Sequence, residues 1–298
     1  MNDEKEVLKK YKIIPKKISY KNKVKIIETE NKKYCLKNKE RSNDAIFEYL
    51  NTHNFLNYLK QINDSSTNYE LYSYIEEIDI EKEEKAYSLI NIMSILHNKT
   101  TTYIDIDYEK VNTIYEDITN KINELLSYYY DLQDKIESTI YMSPAEYHLI
   151  RNINVLYISL NNARSDIDNW YKLKKTLKKE RQVLLHNNMS LEHFLKSDKE
   201  YLINWNKSKK GTVIYDFFTF CKNEYKTLNI QKMYQIYQQK YKYNKDEKLL
   251  LFSLLQLPWK IKFDKSNYIN TLEVNELLDY LKKVNSLILE EHKENQKT

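Results

Sequence analysis

A single glycine, Gly211, and three prolines in 298 residues most constrain what this chain can fold into. Sheets closed by many tight turns draw on glycine for positive backbone φ, so an all-β fold is disfavoured, as are collagen-like and linker architectures. Helix should dominate. The length exceeds the usual single-domain size, which favours two lobes or one large α/β unit. With 41% hydrophobic residues, including 28 tyrosines, burial can offset the entropy of ordering the chain, which argues against disorder over most of its length.

Lys and Arg number 48 against 43 Asp and Glu, a formal +5, with both signs mixed along nearly every stretch. Nucleic acid is therefore not expected as a partner. Lys, Asn, Ile and Tyr share codons rich in A and T, so their abundance alone carries no functional weight. The opening MNDEKEVLKK has acidic residues and no apolar core, so no secretory signal is expected. The longest apolar run, residues 249–259, is too short for a membrane span and is interrupted by Gln256 and Pro258. A soluble cytoplasmic chain is expected. Cys35 and Cys221 show no paired spacing, which points to neither a disulfide framework nor a zinc site.

After a short helical opening, alternation over 16–20, 24–29 and 33–37 predicts three antiparallel strands. A helix over 44–50 follows, then strands over 56–62 and 69–74 separated by the turn-rich 63–67. From Glu81 the period becomes helical, and Ala86, Leu89, Ile90, Met93 and Leu96 line one face. Two long helices come next, with faces running from Val111 to Ile140 and from Ile150 to Leu177. Between them Ser143-Pro144-Ala145-Glu146 combines an N-cap serine, a first-turn proline and a capping-box glutamate, predicting a helical hairpin. Core packing is the expected use of these stripes and of Tyr128-Tyr129-Tyr130, ahead of a partner-binding seam or base stacking. Val183-Leu184-Leu185 reads as a short strand, and 193–196 and 200–203 as a hairpin around Ser197-Asp198-Lys199. The remainder reads as helical, with a capped start at Asn270 and Glu273 and fraying from Glu290. The basic runs 172–179 and 207–210 read as solvated faces, the second also able to attract an anion.

Several residues carry a more specific resemblance. Tyr34-Cys35-Leu36-Lys37 ends the third strand as the V-A-I-K lysine does, and 72–77, Tyr-Ser-Tyr-Ile-Glu-Glu, resembles a kinase hinge. Ile95-Leu96-His97 closes a helix with a Leu-His pair. The run 185–195, LHNNMSLEHFL, resembles an H-G-D-x-x-x-x-N catalytic loop, and 201–205, YLINW, resembles a metal-binding I-D-W strand. Tyr215-Asp216-Phe217 is similar to a downstream P-x-x-D-L segment. Over roughly residues 10–290 the chain is thus similar to the aminoglycoside phosphotransferase and choline kinase-like superfamily. The long helical pair and Leu257-Pro258-Trp259 most resemble its spore coat, CotS-type branch.

The resemblance implies an α+β, bilobal protein kinase-like fold. A β-rich N-terminal lobe would span 1–76 and a helical C-terminal lobe 77–298, with a helical hairpin over about 107–181 and the catalytic hairpin over about 183–206. It implies Lys37 facing a nucleotide, Glu48 as its pairing carboxylate, and Tyr74 and Glu76 at the hinge. His186 falls in the loop as a structural histidine, Asn188 at the general-base position, His193 at the metal-amide position and Asn204 at the metal-carboxylate position.

These last three are departures. Phosphoryl transfer in this fold needs a carboxylate to take the substrate proton, an amide to hold one Mg²⁺ and a second carboxylate for the metals. An asparagine amide has no basicity near neutral pH and brings no negative charge. Loss of a general base alone costs about 10²–10⁴-fold, and these parts act as a unit. The glycine expected after the loop histidine is Asn187, and none is available for a phosphate-covering loop between Ser19 and Lys25. An inactive kinase-like protein is therefore expected, a scaffold or binding module with protein partners, spore coat components among them, with no cofactor or only weak ATP and magnesium binding. Two other readings stand beside it. One is an altered phosphotransferase with Glu192 or Asp198 as substitute base; the other is a helical adaptor presenting an exposed apolar strip on the long hairpin.

Overall fold

The computed structural model describes residues 2–21, 24–63 and 67–295. Two compact units emerge, one formed by Met1–Thr100 with His186–Lys209 and the other by Thr101–Leu185 with Lys210–Thr298. This division does not follow the expected boundary at residue 76, since the hairpin after residue 186 groups with the N-terminal part of the chain. Residues 22 and 23, within the 19–25 stretch that lacks a glycine for a phosphate-covering loop, lie outside the described residues.

In the first unit, helix α1 (Asn2–Lys10) precedes strands β1 (Lys17–Lys21), β2 (Val24–Glu28), β3 (Lys33–Asn38) and β4 (Tyr69–Ser73). They form one antiparallel sheet in the order β1-β2-β3-β4. Because side chains alternate across a strand, Ile27, Leu36 and Leu71 share one face and bury against Val7, Leu8 and Ile13. Each such side chain contributes about 1.5–3 kcal/mol on burial. The register Cys35↔Tyr72 and Lys37↔Glu70 puts the polar members on the opposite face.

Helix α2 (Asp44–Thr52) covers the expected 44–50 and runs two residues further. The expected strand over 56–62 is absent. Tyr58 makes only an isolated bridge to Leu202, while the open edge of β4 is satisfied by the Asn63 side chain, which accepts from Leu71 N (2.8 Å) and donates to Tyr69 O (2.7 Å). One amide thus supplies hydrogen bonds that a fifth strand would have made. Helix α3 (Lys82–Thr100) buries Ala86, Leu89, Ile90, Met93 and Leu96, as its periodicity predicts, together with His97.

The second unit opens with β5 (Thr102–Asp105), a strand the sequence pattern does not announce. It pairs with β6 (Lys179–Leu185), itself longer than the three-residue run expected, in a sheet ordered β5-β6-β9, where β9 is Lys209–Gly211. Gly211 sits where an added Cβ would come 2.8 Å from Leu185 Cδ1, so close approach of the strands dictates this glycine.

Helix α4 (Tyr108–Glu137) is capped by Asp107, whose carboxylate accepts from Glu109 N and Lys110 N at 3.1 Å each. Ile140 was expected on its apolar face. Instead the helix ends before it, with the Ser138 and Thr139 hydroxyls donating to the carbonyls of Lys135 and Ile136, and Ile140 is 89% exposed. Ser143 and Glu146 form the capping box that starts α5 (Pro144–Arg151). The second long helix is broken at Asn152, whose side chain donates to His148 O (2.9 Å), before α6 (Ile153–Lys174), and Leu177 falls beyond its end. The stripes of this hairpin are core. Val111, Ile118, Ile122, Leu125 and Tyr129 on α4 and Leu156, Leu160, Ala163, Ile167 and Trp170 on α6 are all buried, which counts against a continuous exposed strip of the kind expected of a helical adaptor, although Tyr130, Ile140, Tyr141 and Ile158 are exposed.

Helices α7 (Ile214–Glu224), α8 (Ile230–Lys240), α9 (Lys245–Leu255) and α10 (Asn267–Asn295) complete this unit. The last begins three residues before the expected cap. Asn270 is buried inside it, accepting from Lys265 N (3.3 Å) and donating to Lys265 O (3.0 Å), so it latches the preceding loop rather than capping a helix. Glu273 pairs with Lys265 instead of closing a capping box. Helix continues through the expected fraying point at Glu290 as far as Asn295. Tyr128 and Tyr129 donate to the carbonyls of Ile261 and Trp259, and of the tyrosine run only Tyr129 is in the core: Tyr128 is half-buried, and Tyr130 is 53% exposed and stacks on Tyr157. No helix among the described residues is long and apolar enough to cross a membrane.

Candidate functional site

Leaving β6, the chain places His186 in the interior, fully buried, with Nε2–H donating to Ile203 O at 2.9 Å. The Trp205 ring stands edge-on to it at 4.8 Å. His186 therefore pins the loop to the segment after the hairpin. Asn187 follows at φ 57°, in the left-handed region that asparagine tolerates better than other non-glycine residues, and donates to Lys207 O (3.2 Å). Residues Leu191–His193 make a 3-10 turn into β7 (Phe194–Lys196), which pairs with β8 (Glu200–Leu202). Lys196 anchors this hairpin to α3 through Glu84 and Ser88, both at 3.0 Å.

At the centre of the loop is His193. Its Nδ1 lies 2.9 Å from Asn188 O, and its Nε2 lies 3.1 Å from Asn204 Nδ2. A carbonyl can only accept, so Nδ1 carries the proton and Nε2 accepts from the Asn204 amide, which defines a neutral imidazole. Ser190 Oγ, 3.1 Å from Nδ1, completes the set. Asn204 is itself left-handed, at φ 66° and ψ 58°, which turns the chain out of β8 and into the 3-10 turn Trp205–Lys207. The expected base, metal-amide and metal-carboxylate positions thus meet at one ring, Asn188 through its backbone carbonyl and Asn204 through its side chain, and none of the three is a carboxylate.

Carboxylates nearby in sequence lie elsewhere. Glu192 is exposed on the 3-10 turn, and Asp198 is exposed at the β7-β8 turn, where it accepts from Ser197 Oγ (2.8 Å). No cluster of three His, Cys, Asp or Glu side chains suited to a metal ion occurs among the described residues.

Lys37 does not pair with Glu48, which is exposed on α2. Its partner is Glu70, directly across the β3-β4 ladder at 2.8 Å and 1% exposed. Tyr72 donates to the same carboxylate at 3.1 Å, and Lys37 Nζ stands 5.5 Å from the Tyr72 ring centre. Burial first, and then the Glu70 charge, push the Tyr72 phenol far above its ordinary range. Burial likewise raises the Cys35 thiol on this face to about 11, so it stays protonated at neutral pH. At the expected hinge, the backbone N–H of Tyr74 donates to Lys33 O (3.0 Å), and the exposed Glu76 carboxylate accepts from Lys33 Nζ (3.0 Å).

Sequence reasoning missed the struts that hold this unit together. Arg41 donates to Ser208 O (2.8 Å) and Trp205 O (3.3 Å). Asn43 Nδ2 donates to Asn206 Oδ1 (3.0 Å), and Asn206 in turn donates to Glu40 (2.8 Å). The polar stretch 38–44 gave only the signal of a loop before a helix.

No protein family and no curated protein matches the sequence. Among solved structures, an aminoglycoside phosphotransferase from Alicyclobacillus acidocaldarius is similar over 93% of this chain and 93% of its own, with a TM-score of 0.68 at 9% identity. The fold is that of the aminoglycoside phosphotransferases. An AMP-bound spectinomycin phosphotransferase is similar over 94% of this chain and 97% of its own, with a TM-score of 0.54 at 13% identity. The chain therefore has an α+β protein kinase-like fold, with a small antiparallel sheet and a mostly helical remainder.

Proposed function

We propose that this protein is a phosphotransferase-fold module that has lost phosphoryl transfer and works by binding other proteins. The observation that carries the reading is the His193 bridge. Each ring nitrogen is satisfied, by Asn188 O on one side and Asn204 Nδ2 on the other, in a set of neutral groups. Taking a proton from a hydroxyl needs a free base, and holding a dication beside a triphosphate needs anionic oxygen; the one basic atom here, His193 Nε2, is occupied by the Asn204 amide, and none of the three residues is a carboxylate. The Lys37 and Glu70 pair adds support, since a phosphate group would have to displace a buried carboxylate from that ammonium. The assembly we assign it to is a spore coat layer, on the resemblance carried by the long helical pair and Leu257-Pro258-Trp259.

The test is calorimetric titration with Mg·ATP beside a phosphate-release assay. The intact protein should give no metal-dependent heat and no turnover, whereas a paired Asn188→Asp and Asn204→Asp variant should gain magnesium-dependent nucleotide binding. Turnover by the unaltered protein that a Lys37 substitution abolishes would overturn the reading in favour of an altered phosphotransferase. A fluorescent fusion that stays dispersed while its host sporulates would remove the spore coat assignment.

A further inference from the structure

Lys222 on α7 ends among aromatic rings rather than beside a carboxylate. Its Nζ lies 4.2 Å from the ring centre of Tyr280 and 5.8 Å from those of Trp259 and Phe218. No hydrogen bond or ion pair reaches it from any described residue.

Charged and titratable groups on the elements around it have other partners. On α10, Glu276 is held by Lys226 at 2.8 Å, Lys283 donates to Tyr225 O at 2.6 Å, and Tyr280 donates to Leu255 O at 2.8 Å. On the segment carrying Trp259, Lys260 pairs with Glu124 at 2.6 Å. On α7 itself, the adjacent Cys221 thiol is fully buried and pushed well up by that burial. Ring faces stabilise an ammonium, but by less than the water and counter-charge they replace. Burial accordingly pushes Lys222 down to about 8, while the side chain keeps partial access to solvent.

We propose that Lys222 is a modification site, a nucleophilic amine that takes acyl groups from small, uncharged activated donors such as thioesters and active esters. A desolvated lysine is more nucleophilic because more of it is neutral at working pH. The Nζ lone pair attacks the donor's carbonyl carbon and the N–C bond forms. The bond from that carbon to sulfur or oxygen breaks, the leaving group departs with its electron pair, and the nitrogen releases a proton to solvent. The amide that results carries no charge, which suits the aromatic cage better than the ammonium it replaces. Aromatic walls also favour an uncharged donor over a phosphorylated one.

Limiting p-nitrophenyl acetate added to the full chain, followed by peptide mass spectrometry of every lysine from pH 6 to 10, tests this. A lysine at about 8 has on the order of 100 times the neutral fraction of an ordinary one at pH 7.5, part of which its lower basicity takes back. Lys222 should therefore acetylate at least about tenfold faster than the exposed Lys209 and Lys210 at that pH. Its rate should level off above about pH 8–9 while theirs still climbs. Trp259→Leu, which removes one wall, should bring the Lys222 profile towards theirs. A Lys222 that stays unlabelled, or follows the pH profile of the exposed lysines in the unaltered protein, would overturn the proposal whether or not the variant folds.

Discussion

The loop from His186 to Asn206 and the seam between α6, β6 and α9 handle polarity in opposite ways. In the loop, an imidazole is satisfied by the backbone carbonyl of Asn188 and the side-chain amide of Asn204, without a formal charge. In the seam, Lys174 is 3% exposed and held between Glu180 (2.6 Å) and Asp246 (3.0 Å). Arg181 Nε donates to the buried Glu247 (2.9 Å), whose carboxylate also accepts from Asn244 N (2.7 Å) to cap α9. Burial pulls Lys174 down, but its two carboxylates outweigh that and leave it raised. This chain therefore holds buried charge where opposite charges and hydrogen bonds close around it. The neutrality of the loop is a property of that site, not of a sequence that avoids burying ions.

Removing charge from the seam should have the largest effect. Lys174→Met leaves the buried Asp246 and the largely buried Glu180 without their cation and should cost about 3 kcal/mol in urea unfolding. A variant that unfolds as late as the parent would show that the seam is not what holds charge in place. Lys222 sharpens the contrast from within the same unit, as a cation with no partner. It is depressed to about 8 against 10.5 when unfolded, so the unfolded chain binds more protons between those values and stability must rise with pH across that window. Relative to Lys222→Met, the parent should gain on the order of 2 kcal/mol between pH 8 and 10.5, and a flat difference would refute the linkage.

In the loop, Asn204→Ala removes the bond to His193 and puts a Cβ-bearing residue with no local hydrogen bond at φ 66°. It should cost about 1–2 kcal/mol by thermal melting, and Asn204→Gly should recover roughly half of that. Asn188 offers His193 its backbone carbonyl, so Asn188→Asp should move stability by no more than about 0.5 kcal/mol. A larger drop would mean that the loop excludes negative charge.

Local patterns were legible and pairings were not. The alternation over 16–37 and the capping box at Ser143 are properties of a few neighbouring residues, and both recur in the fold. Residues 56–62 alternate as a strand does, yet only Ile62 N bonds the β4 edge, at Leu71 O, while Leu71 N goes to the Asn63 side chain and Asn57 O to Leu202 N. A four-residue strand such as Thr102–Asp105 is too short to show a period at all. Only the resemblance of 185–195 and 201–205 to family motifs assigns Asn188, His193 and Asn204 to one site, and they lie around one ring in the fold. The partner of Lys37 was hidden because Glu70 faces it only once the β3-β4 register is set, 33 positions along the chain, and nothing in either segment fixes that register alone.

The left-handed residues outside the loop extend the theme. Every described position with positive φ, Lys12, Asn54, Asn187 and Asn204, bears a side chain, while the one glycine answers to Leu185 instead. Such positions carry local strain in the native state, but they also leave the denatured ensemble with fewer accessible conformers than glycines would. Replacing these bends one by one with glycine would relax the native backbone and enlarge the disorder of the denatured chain at the same step, so the net gain at each would be small.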